Sequence, residues 1–349
     1  MNKRQALSRT LAILALGGVA LVASARKNSV FEPPITPTPT SLAEPPTPAT
    51  SPTALSTEAP ESTSTPEQAR DVEIILTGDV LLGRTVMNES FELDDPRYPF
   101  LKIADTLTEA DITFINLEGP IIDKCPVVPN DDRMVFCADP KMAEGLVYAG
   151  VDVVSLANNH TLDHGESGLA QTQEILQESG IEATGLGNLV VKEKEGIKFG
   201  FLGFDLFSII QARKNRSLTE VEEETIKSLV MESKEKVDVL IVGVHWGQQY
   251  HKESEEFQRH WARNFIESGA DVIVGNHPHV VQDMDHIDGK PVYYSLGNLV
   301  FDNMFEGFEE TRRGLVMRLI YKEGKLIREE QLPTEIVSRA QPEFVKTDD

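Results

Sequence analysis

The sequence predicts an α/β fold with a largely parallel sheet whose faces are covered by helices. From Asp71 onward, short runs of β-branched residues alternate with helical stretches, an order typical of repeated β-α-β units. Almost every position in these runs is apolar, as in strands with both faces covered. The predicted strands are residues 72–77, 112–115, 153–156, 199–204, 239–244, 272–274 and 292–295.

The segments between these strands carry start and stop signals for helices. Asp139 precedes Pro140, a cap followed by a first-turn proline, and Gly150 is the matching stop. Ser217 and Glu220 have the spacing of a capping box. The other predicted elements are a helix over residues 253–268, ending before Gly269, and a hairpin of residues 316–320 and 325–328.

The N-terminus has the pattern of a secretory signal. Residues 1–25 combine a basic start, an apolar run and a small-residue close at Ala23, Ser24 and Ala25. The run is about fifteen residues long where a membrane span needs about twenty, which favours a cleaved signal peptide over an uncleaved anchor helix. Either alternative predicts an extracytoplasmic protein, secreted or tethered to the membrane at the cell envelope.

Residues 26–70 form a linker rich in Pro, Thr and Ser, with few large apolar side chains. Such a segment is predicted to be disordered, because it has too little apolar surface to bury. In an extended, polyproline-like form, some 35 to 40 of these residues reach on the order of 100 Å, which suits a stalk. The folded domain is therefore predicted over residues 71–336, followed by a flexible tail over 337–349.

Net charge and cysteine content further limit the possible partners and covalent structure of the protein. The formal net charge of −23 argues against a nucleic-acid partner, although a bound divalent metal would still attract an anionic substrate locally. Cys125 and Cys137 are the two cysteines of the chain. In an exported protein their closeness predicts a local disulfide, with two buried free thiols as the alternative.

Polar side chains suited to metal ligation follow five of the predicted strands, and the carboxyl ends of parallel strands are where open sheets build their sites. We expect them to converge at one edge of the sheet. Oxygen and nitrogen donors without thiolate suit Mn, Fe, Mg or Zn, and two such ions would support hydrolysis by activated water. The residues are Asp79, Asn116, Glu118, Asn158, Asn159, His160, His245, His277 and His279.

Five of these residues also have a structural explanation. Asp79 fits a helix cap, Glu118 a surface turn, Asn158 and Asn159 left-handed turn positions, and His245 a buried histidine with satisfied hydrogen bonds. Covalent serine catalysis and nucleotide cofactors are not supported, because no predicted strand is followed by a nucleophile elbow, a phosphate-binding loop or a dinucleotide-binding glycine motif.

The ordered motifs GDVLLGR, NLEGP, SLANNHTLDHGESGL, HWGQQY, GNHPHVVQ and YSLGNLVFD resemble the capsule-synthesis CapA family. The resemblance covers residues 74–302, and members are associated with making or exporting poly-gamma-glutamate capsule. It implies a fold similar to calcineurin-like metallophosphatases, a four-layer αββα sandwich around a centre of one or two divalent metal ions.

The resemblance also implies roles for individual residues. Asp79 would hold one metal, Glu118 would bridge two, and Asn159 would bind the second. His160 would be a catalytic residue that hydrogen-bonds or protonates the substrate, with Asp163 orienting its loop. His245, His277 and His279 would complete the ligand set, and the residues around the ligands or lining the cleft would be Asn116, Asn158, Trp246, Tyr250, Ser295 and Asn298.

Two positions depart from the family pattern. Leu81 stands where metallophosphatases carry a histidine two residues after the first aspartate, so one ion would lack a ligand. Gln249 stands before Tyr250 where the family commonly has glutamate. The first departure suggests a single ion, and the second leaves the substrate class open.

These observations predict a metal-dependent hydrolase acting in synthesis, export or remodelling of an anionic envelope polymer such as poly-gamma-glutamate. The same observations fit two alternatives. One is a non-catalytic polymer-binding subunit of a membrane synthase or export complex, and the other is a phosphodiesterase unrelated to capsule, since fold alone does not fix the bond cleaved.

Overall fold

The computed structural model describes residues 70–128, 134–212, 220–302 and 307–345. These belong to one compact unit, Ala69–Asp349. The predicted signal peptide, all but the last residue of the linker, the Ser217 cap and the final four residues lie outside the described residues. No helix in the described ranges is both long enough and apolar enough to cross a membrane.

Through residues 72–276 the described chain mostly alternates strands and helices, as predicted, and from there on it is largely strand. The strands are β1 (Val72–Val80), β2 (Ile112–Leu117), β3 (Val153–Ser155), β4 (Glu182–Thr184), β5 (Val190–Lys194), β6 (Ile197–Asp205), β7 (Val239–His245), β8 (Val272–Asn276), β9 (Met284–Ile287), β10 (Lys290–Tyr293), β11 (Asn298–Val300), β12 (Arg313–Lys322), β13 (Lys325–Ser338) and β14 (Gln341–Phe344). The helices are α1 (Arg84–Glu92), α2 (Ala104–Glu109), α3 (Ala143–Tyr148), α4 (Gly165–Glu178), α5 (Leu206–Ala212), α6 (Glu220–Lys234) and α7 (Glu256–Glu267).

The strands form two sheets. The first has the order β14-β13-β12-β1-β2-β3-β4, with β11 beside β1, and the second has the order β5-β6-β7-β8-β10-β9. β1 to β4 are parallel, and so are β6, β7, β8 and β10. The expectation that all site residues share one edge of one sheet is therefore wrong, because the parallel strands are divided between two sheets.

Side-chain alternation along the strands shows how the two sheets pack. Ile74 of β1 and Ile241 of β7 belong to one buried cluster between the sheets. Their neighbours point the other way: Ile75 packs with the helices on the outside of the first sheet, and Val242 packs with Phe265 of α7 outside the second. Because successive strand residues face opposite sides, the layers run helix, sheet, sheet, helix. The predicted four-layer αββα sandwich is confirmed.

A β-bulge interrupts β1 just before its end. Leu76 is opposite Phe114 of β2, whereas Asp79 is opposite Asn116, so three steps along β1 match two along β2. The additional residue reverses the alternation. Val80 consequently lies in the outer cluster, although strict alternation from Ile74 would place it between the sheets. The predicted end of the strand, at residue 77, coincides with this irregularity.

The C-terminal segment is strand where the sequence predicts a flexible tail. β13 continues to Ser338, and β14 pairs with it antiparallel, with Pro342 opposite Ile336. The Gln341 side chain donates a hydrogen bond of 2.8 Å to the carbonyl of Tyr98. Proline is tolerated here because β14 is an edge strand, where a missing N–H breaks no ladder.

Helix starts agree with the predicted signals in one case and differ in another. The Asp139 carboxylate accepts a hydrogen bond of 3.0 Å from the backbone N–H of Lys141, and a short 3-10 turn at Pro140–Met142 leads into α3. α7 begins at Glu256, three residues later than predicted, because Glu255 and Gln258 form a reciprocal capping box.

Cys125 and Cys137 form a disulfide with a Cα–Cα distance of 5.8 Å. The bond closes the excursion between β2 and α3. The alternative of two free thiols is wrong.

Candidate metal centre

The carboxyl ends of strands from both sheets meet at one cleft. Asp79 and Asn116 are register partners at the ends of β1 and β2. His245 and Asn276 are partners at the ends of β7 and β8. The backbone N–H of His277, just after β8, donates to Asp79 across the gap at 3.2 Å, so the cleft lies between the two sheets.

Asp79 is fully buried, and both of its carboxylate oxygens have partners. Oδ1 accepts a hydrogen bond of 2.8 Å from Asn116 Nδ2. Oδ2 accepts the His277 backbone hydrogen bond and lies 3.3 Å from His279 Nδ1. The helix-cap explanation is wrong, since Asp79 lies inside β1.

Glu118 is equally buried, but neither of its carboxylate oxygens has a hydrogen-bond partner among the described residues. Oε1 lies 3.7 Å from His279 Nε2 and 3.8 Å from His160 Nε2. Burial, and next the charge of Asp79, raise the pKa of Glu118 to about 7 against the attraction of the two imidazoles. The surface-turn explanation is therefore wrong.

A buried carboxylate without hydrogen bonds is costly unless a cation compensates it. One donor atom each from Asp79, Glu118 and His279 lie within 4.8 Å of one another. Two carboxylates and an imidazole are suitable ligands for a divalent ion. These three residues are called the first ligand group below.

A second ligand group consists of Asn159, His245 and His277. His245 Nε2 lies 2.7 Å from Asn159 Oδ1 and 3.0 Å from His277 Nδ1. Burial, reinforced by neighbouring imidazoles, lowers the pKa values of His245 and His277 well below the usual range. Both rings are therefore neutral near pH 7, the form that binds metals.

His279 is held by two oxygens on its Nδ1 side. Besides Asp79, the Asn298 side-chain oxygen lies 3.0 Å from Nδ1, and because an amide oxygen only accepts, Nδ1 carries the proton. Burial alone would lower the pKa of His279, but the charges of Glu118 and Asp79 outweigh it and raise the pKa to about 9. His277 and His279 both have positive φ, 98° and 57°, and such strain often marks functional sites.

His160 lies at the edge of the first ligand group. Its Nδ1 is 2.8 Å from Asp163 Oδ2, and its Nε2 faces Glu118. The backbone N–H of His160 donates to Asn158 Oδ1 at 3.2 Å, so Asn158 is a hydrogen-bond acceptor in this loop. Asp163 thus contacts His160 as the resemblance implies, and fixes which nitrogen faces the cleft.

The remaining predicted cleft residues divide into two sets. Asn158 Nδ2 also donates to Asn116 Oδ1 at 3.2 Å, which links Asn116 to the His160 loop. Trp246 instead faces the helix side, where its indole N–H donates to the Tyr294 carbonyl at 2.9 Å. Placing Trp246 in the cleft is wrong, because it follows His245 and points the opposite way.

Two other predicted residues have local positions. Ser295 Oγ accepts a hydrogen bond of 3.2 Å from the N–H of Gly297 and so stabilises its own turn. Tyr250 is partly buried, with its ring centroid 6.3 Å from that of His279 and 4.7 Å from that of Phe308. Tyr250 therefore lies at the rim of the cleft.

Several residues at this site lie outside the set predicted from the sequence. Arg84 forms a buried ion pair with Asp302, Nε to Oδ2, of 2.8 Å. Asp205 ends β6 opposite His245, and burial raises its pKa to about 6. Asn276 is buried, and its Nδ2 has no hydrogen-bond partner among the described residues. Asp205 and Asn276 end apolar strands, the same signal that identified the other residues.

Leu81 explains how the first ligand group differs from the metallophosphatase pattern. Its side chain is buried in an apolar cluster with Phe136, Phe301 and Ile336. The first group therefore receives no ligand from this position. The second group brings together three neutral side chains, Asn159, His245 and His277.

The family described as "Bacterial capsule synthesis protein PGA_cap" matches residues 73–303. The "Capsule biosynthesis protein CapA" of Bacillus anthracis is 28% identical over 253 residues, 68% of this chain and 61% of that protein. The chain thus spans less than two thirds of that relative. The "PGA biosynthesis protein CapA" of Bacillus subtilis is 28% identical over 282 residues, 78% and 73% of the two chains.

A Mycobacterium tuberculosis protein described as a "Probable polyglutamine synthesis accessory protein" is 25% identical over 331 residues, 76% of this chain and 85% of that protein. Among solved structures, a hypothetical protein from Thermus thermophilus has a TM-score of 0.49 and 16% identity, covering 76% of this chain and 99% of its own. A putative 5'-nucleotidase from Staphylococcus aureus has a TM-score of 0.41 and 13% identity, covering 80% and 55%.

Proposed function

This chain belongs to the bacterial capsule synthesis protein family that matches residues 73–303, and from that premise we propose that it is an extracytoplasmic, metal-dependent hydrolase of an anionic envelope polymer. The name of the Bacillus subtilis relative, a PGA biosynthesis protein, supports poly-gamma-glutamate as that polymer, and the name of the Bacillus anthracis relative supports a capsule polymer. The signal-like residues 1–25 support a place outside the cytoplasm, secreted or tethered at the envelope.

The observation that carries the proposal is the state of Glu118. Its carboxylate is buried, lacks hydrogen bonds from the described residues, and lies between the imidazoles of His160 and His279. A purely structural residue in this position would be selected for satisfied hydrogen bonds or for an apolar side chain. A site for one or two divalent ions accounts for the arrangement.

The chain's own residues would have separate roles at such a site. Asp79, Glu118 and His279 would hold one ion, and Asn159, His245 and His277 a second. A bound divalent cation supplies positive charge that polarises a phosphoryl or carbonyl oxygen and makes water easier to deprotonate. Asn116 keeps Asp79 oriented through the hydrogen bond at Oδ1.

His160 would act on the leaving group. Asp163 occupies its Nδ1, so Nε2 is the nitrogen exposed to the cleft. A proton at Nε2 would be donated to the departing oxygen or nitrogen as the bond breaks, a step that typically contributes about 10²- to 10⁴-fold in rate.

The first test measures metal content by plasma mass spectrometry. The purified full chain should contain about one to two equivalents of transition metal, and the Asp79→Ala plus His245→Ala variant should contain none. His260→Ala, on the exposed face of α7, is the matched control. Absence of metal from the parent after incubation with Mn²⁺, Fe²⁺ and Zn²⁺ would refute the proposal.

The second test measures turnover on two probes, bis(p-nitrophenyl) phosphate and poly-gamma-glutamate. The metal-loaded parent should hydrolyse one of them, and His160→Gln should retain the metal while losing most of the rate. Metal binding without hydrolysis of either probe would contradict the assignment as a hydrolase.

A second candidate is a polymer-binding accessory protein without catalysis. Leu81, buried among apolar side chains, removes one expected ligand, and the Mycobacterium tuberculosis relative is described as an accessory protein. Under this alternative, poly-gamma-glutamate would bind to the metal-loaded chain and be released intact. Size-exclusion chromatography of the polymer before and after incubation separates the two functions.

A further inference from the structure

We propose that Phe136 is a positioning residue for His160, and that the Cys125–Cys137 disulfide holds Phe136 in place. The inference rests on the proposed function of His160 as a proton donor. It adds an aromatic support and a covalent constraint that neither the motifs nor the family resemblance assigns.

Phe136 contacts both members of the His160–Asp163 pair. Its ring is stacked on the His160 imidazole, with centroids 3.9 Å apart and planes 21° apart. Its backbone N–H donates a hydrogen bond of 2.6 Å to Asp163 Oδ2, the same oxygen that faces His160 Nδ1. The ring limits rotation of the imidazole, and the N–H fixes the carboxylate that orients it.

Phe136 reaches this position because the excursion between β2 and α3 folds back on itself. Ile122 and Ala138 form one backbone hydrogen bond of 2.9 Å, and Ala138 and Pro120 form another of 2.9 Å. The disulfide lies immediately beside these bonds, and Cys137 is the residue that follows Phe136. The covalent link thus acts one residue away from the stacked ring.

The surroundings of Phe136 leave little room for another position. Gly119, next to Glu118, has φ +116°, and a β-carbon there would lie 2.9 Å from the Phe136 β-carbon. The guanidinium of Arg84, itself paired with Asp302, lies 5.4 Å from the centre of the Phe136 ring. Phe301 packs edge-on against the same ring, with centroids 6.4 Å apart.

The consequence is that placement of His160 depends on oxidation. Forming the disulfide removes two electrons and two protons from the Cys125 and Cys137 thiols, and a thiol–disulfide oxidant takes them up as its own disulfide becomes two thiols. In the reduced chain, only non-covalent contacts hold Phe136. The proton donor would therefore be fully ordered only in an oxidising compartment.

The test observes His160 directly, by NMR of the full chain labelled with ¹³C and ¹⁵N at histidine and loaded with diamagnetic Zn²⁺. His160→Gln identifies the His160 resonances. Stacking on Phe136 shifts the imidazole proton signals upfield, and Phe136→Leu should abolish that shift while Phe136→Tyr preserves it. Phe199→Leu, an equally buried phenylalanine between the sheets, is the matched control.

Reduction provides the second measurement, and it requires no substitution. Dithiothreitol transfers two electrons and two protons to the disulfide and becomes a cyclic disulfide. With far-UV circular dichroism and Zn²⁺ content unchanged, the His160 resonances should broaden or move toward those of Phe136→Leu, and reoxidation should restore them.

A third measurement is turnover of bis(p-nitrophenyl) phosphate. Here Phe136→Leu should lower kcat by about 10- to 100-fold with KM little changed.

The proposal is overturned if the His160 resonances are the same in the parent, in Phe136→Leu and in the reduced chain, or if Phe199→Leu moves them equally. Failure of the proposed function is a separate result. A parent that hydrolyses neither probe would remove the role of His160 as proton donor, while the NMR spectra would still decide whether Phe136 positions its ring.

Discussion

His245 Nε2 lies 2.7 Å from the side-chain oxygen of Asn159, although the two residues follow strands of different sheets. His245 ends β7 of the second sheet, and Asn159 follows β3 of the first. A cation bound by both would therefore link the two halves of the sandwich.

We predict that metal binding stabilises the fold as a whole. At a free Zn²⁺ concentration about 100 times its Kd, the free energy of unfolding should rise by about 2.7 kcal/mol. A chelator should reverse the rise in Tm. Calorimetry of His245→Ala should show little of this shift, while the exposed control His260→Ala keeps it. Equal Tm values with and without Zn²⁺ in the parent would count against the linked-sheet site.

Metal binding should also depend on pH. The pKa of Glu118 is raised to about 7 and that of His279 to about 9, so both bind protons more tightly than an ordinary carboxyl or imidazole. A metal must displace those protons below these pKa values. Zn²⁺ affinity should consequently increase as the pH rises through that range.

Calorimetric titration at pH 7 in two buffers with different ionisation heats measures the protons released per ion. We expect release of about one proton, mainly from His279. An affinity that does not change with pH would show that these two groups are not ligands.

Gly119 should be among the least replaceable residues near the cleft. Gly119→Ala places a side chain at φ +116° and a β-carbon 2.9 Å from that of Phe136, and we expect a loss of about 2–4 kcal/mol in the free energy of unfolding. Gly187→Ala, at φ +82° with nothing within 4 Å of the added carbon, should cost only about 1 kcal/mol. Urea denaturation compares them, and equal losses would show that contact with Phe136 contributes nothing.

Asp111 lies near the start of β1, at the end of the strand away from the cleft, and its ion pair makes stability depend on pH. Its carboxylate accepts hydrogen bonds from Arg70 at 2.8 Å and from the Glu73 backbone N–H at 2.9 Å. Partial burial would raise its pKa, but these partners outweigh burial and lower it. Its stabilising effect is therefore complete above the ordinary carboxyl pKa and lost as pH falls through the lowered value.

Asp111→Asn should lower the free energy of unfolding by about 1 kcal/mol at neutral pH. The difference from the parent should shrink as the pH falls below about 4. Asp123→Asn, an exposed carboxylate, is the control. A cost that stays constant with pH in urea titrations would assign the effect to packing rather than charge.

Hydrophobic patterning predicted the strands and the polar residues at their ends, because both are local properties of the sequence. It could not assign β1 to β3 to one sheet and β7 and β8 to another, because these strands are equally apolar and all parallel. Sheet membership depends on packing between distant segments.

Proximity in sequence was a poor guide to the cleft. Trp246 adjoins His245 yet packs against the helices, as alternation along β7 requires. Phe136 is remote from every motif and reaches His160 through a disulfide-closed excursion. The orientation of Trp246 is predictable from strand periodicity, whereas the position of Phe136 depends on tertiary folding.

The bulge in β1 makes the site depend on backbone register as well as on chemistry. Ile74 faces the space between the sheets and Val80 faces the outer helices, because the additional residue reverses the alternation between them. If β1 continued in regular register from Leu76 without the bulge, Asp79 and Val80 would exchange faces. A valine would then stand in the cleft in place of a carboxylate, with every ligand residue still present in the sequence.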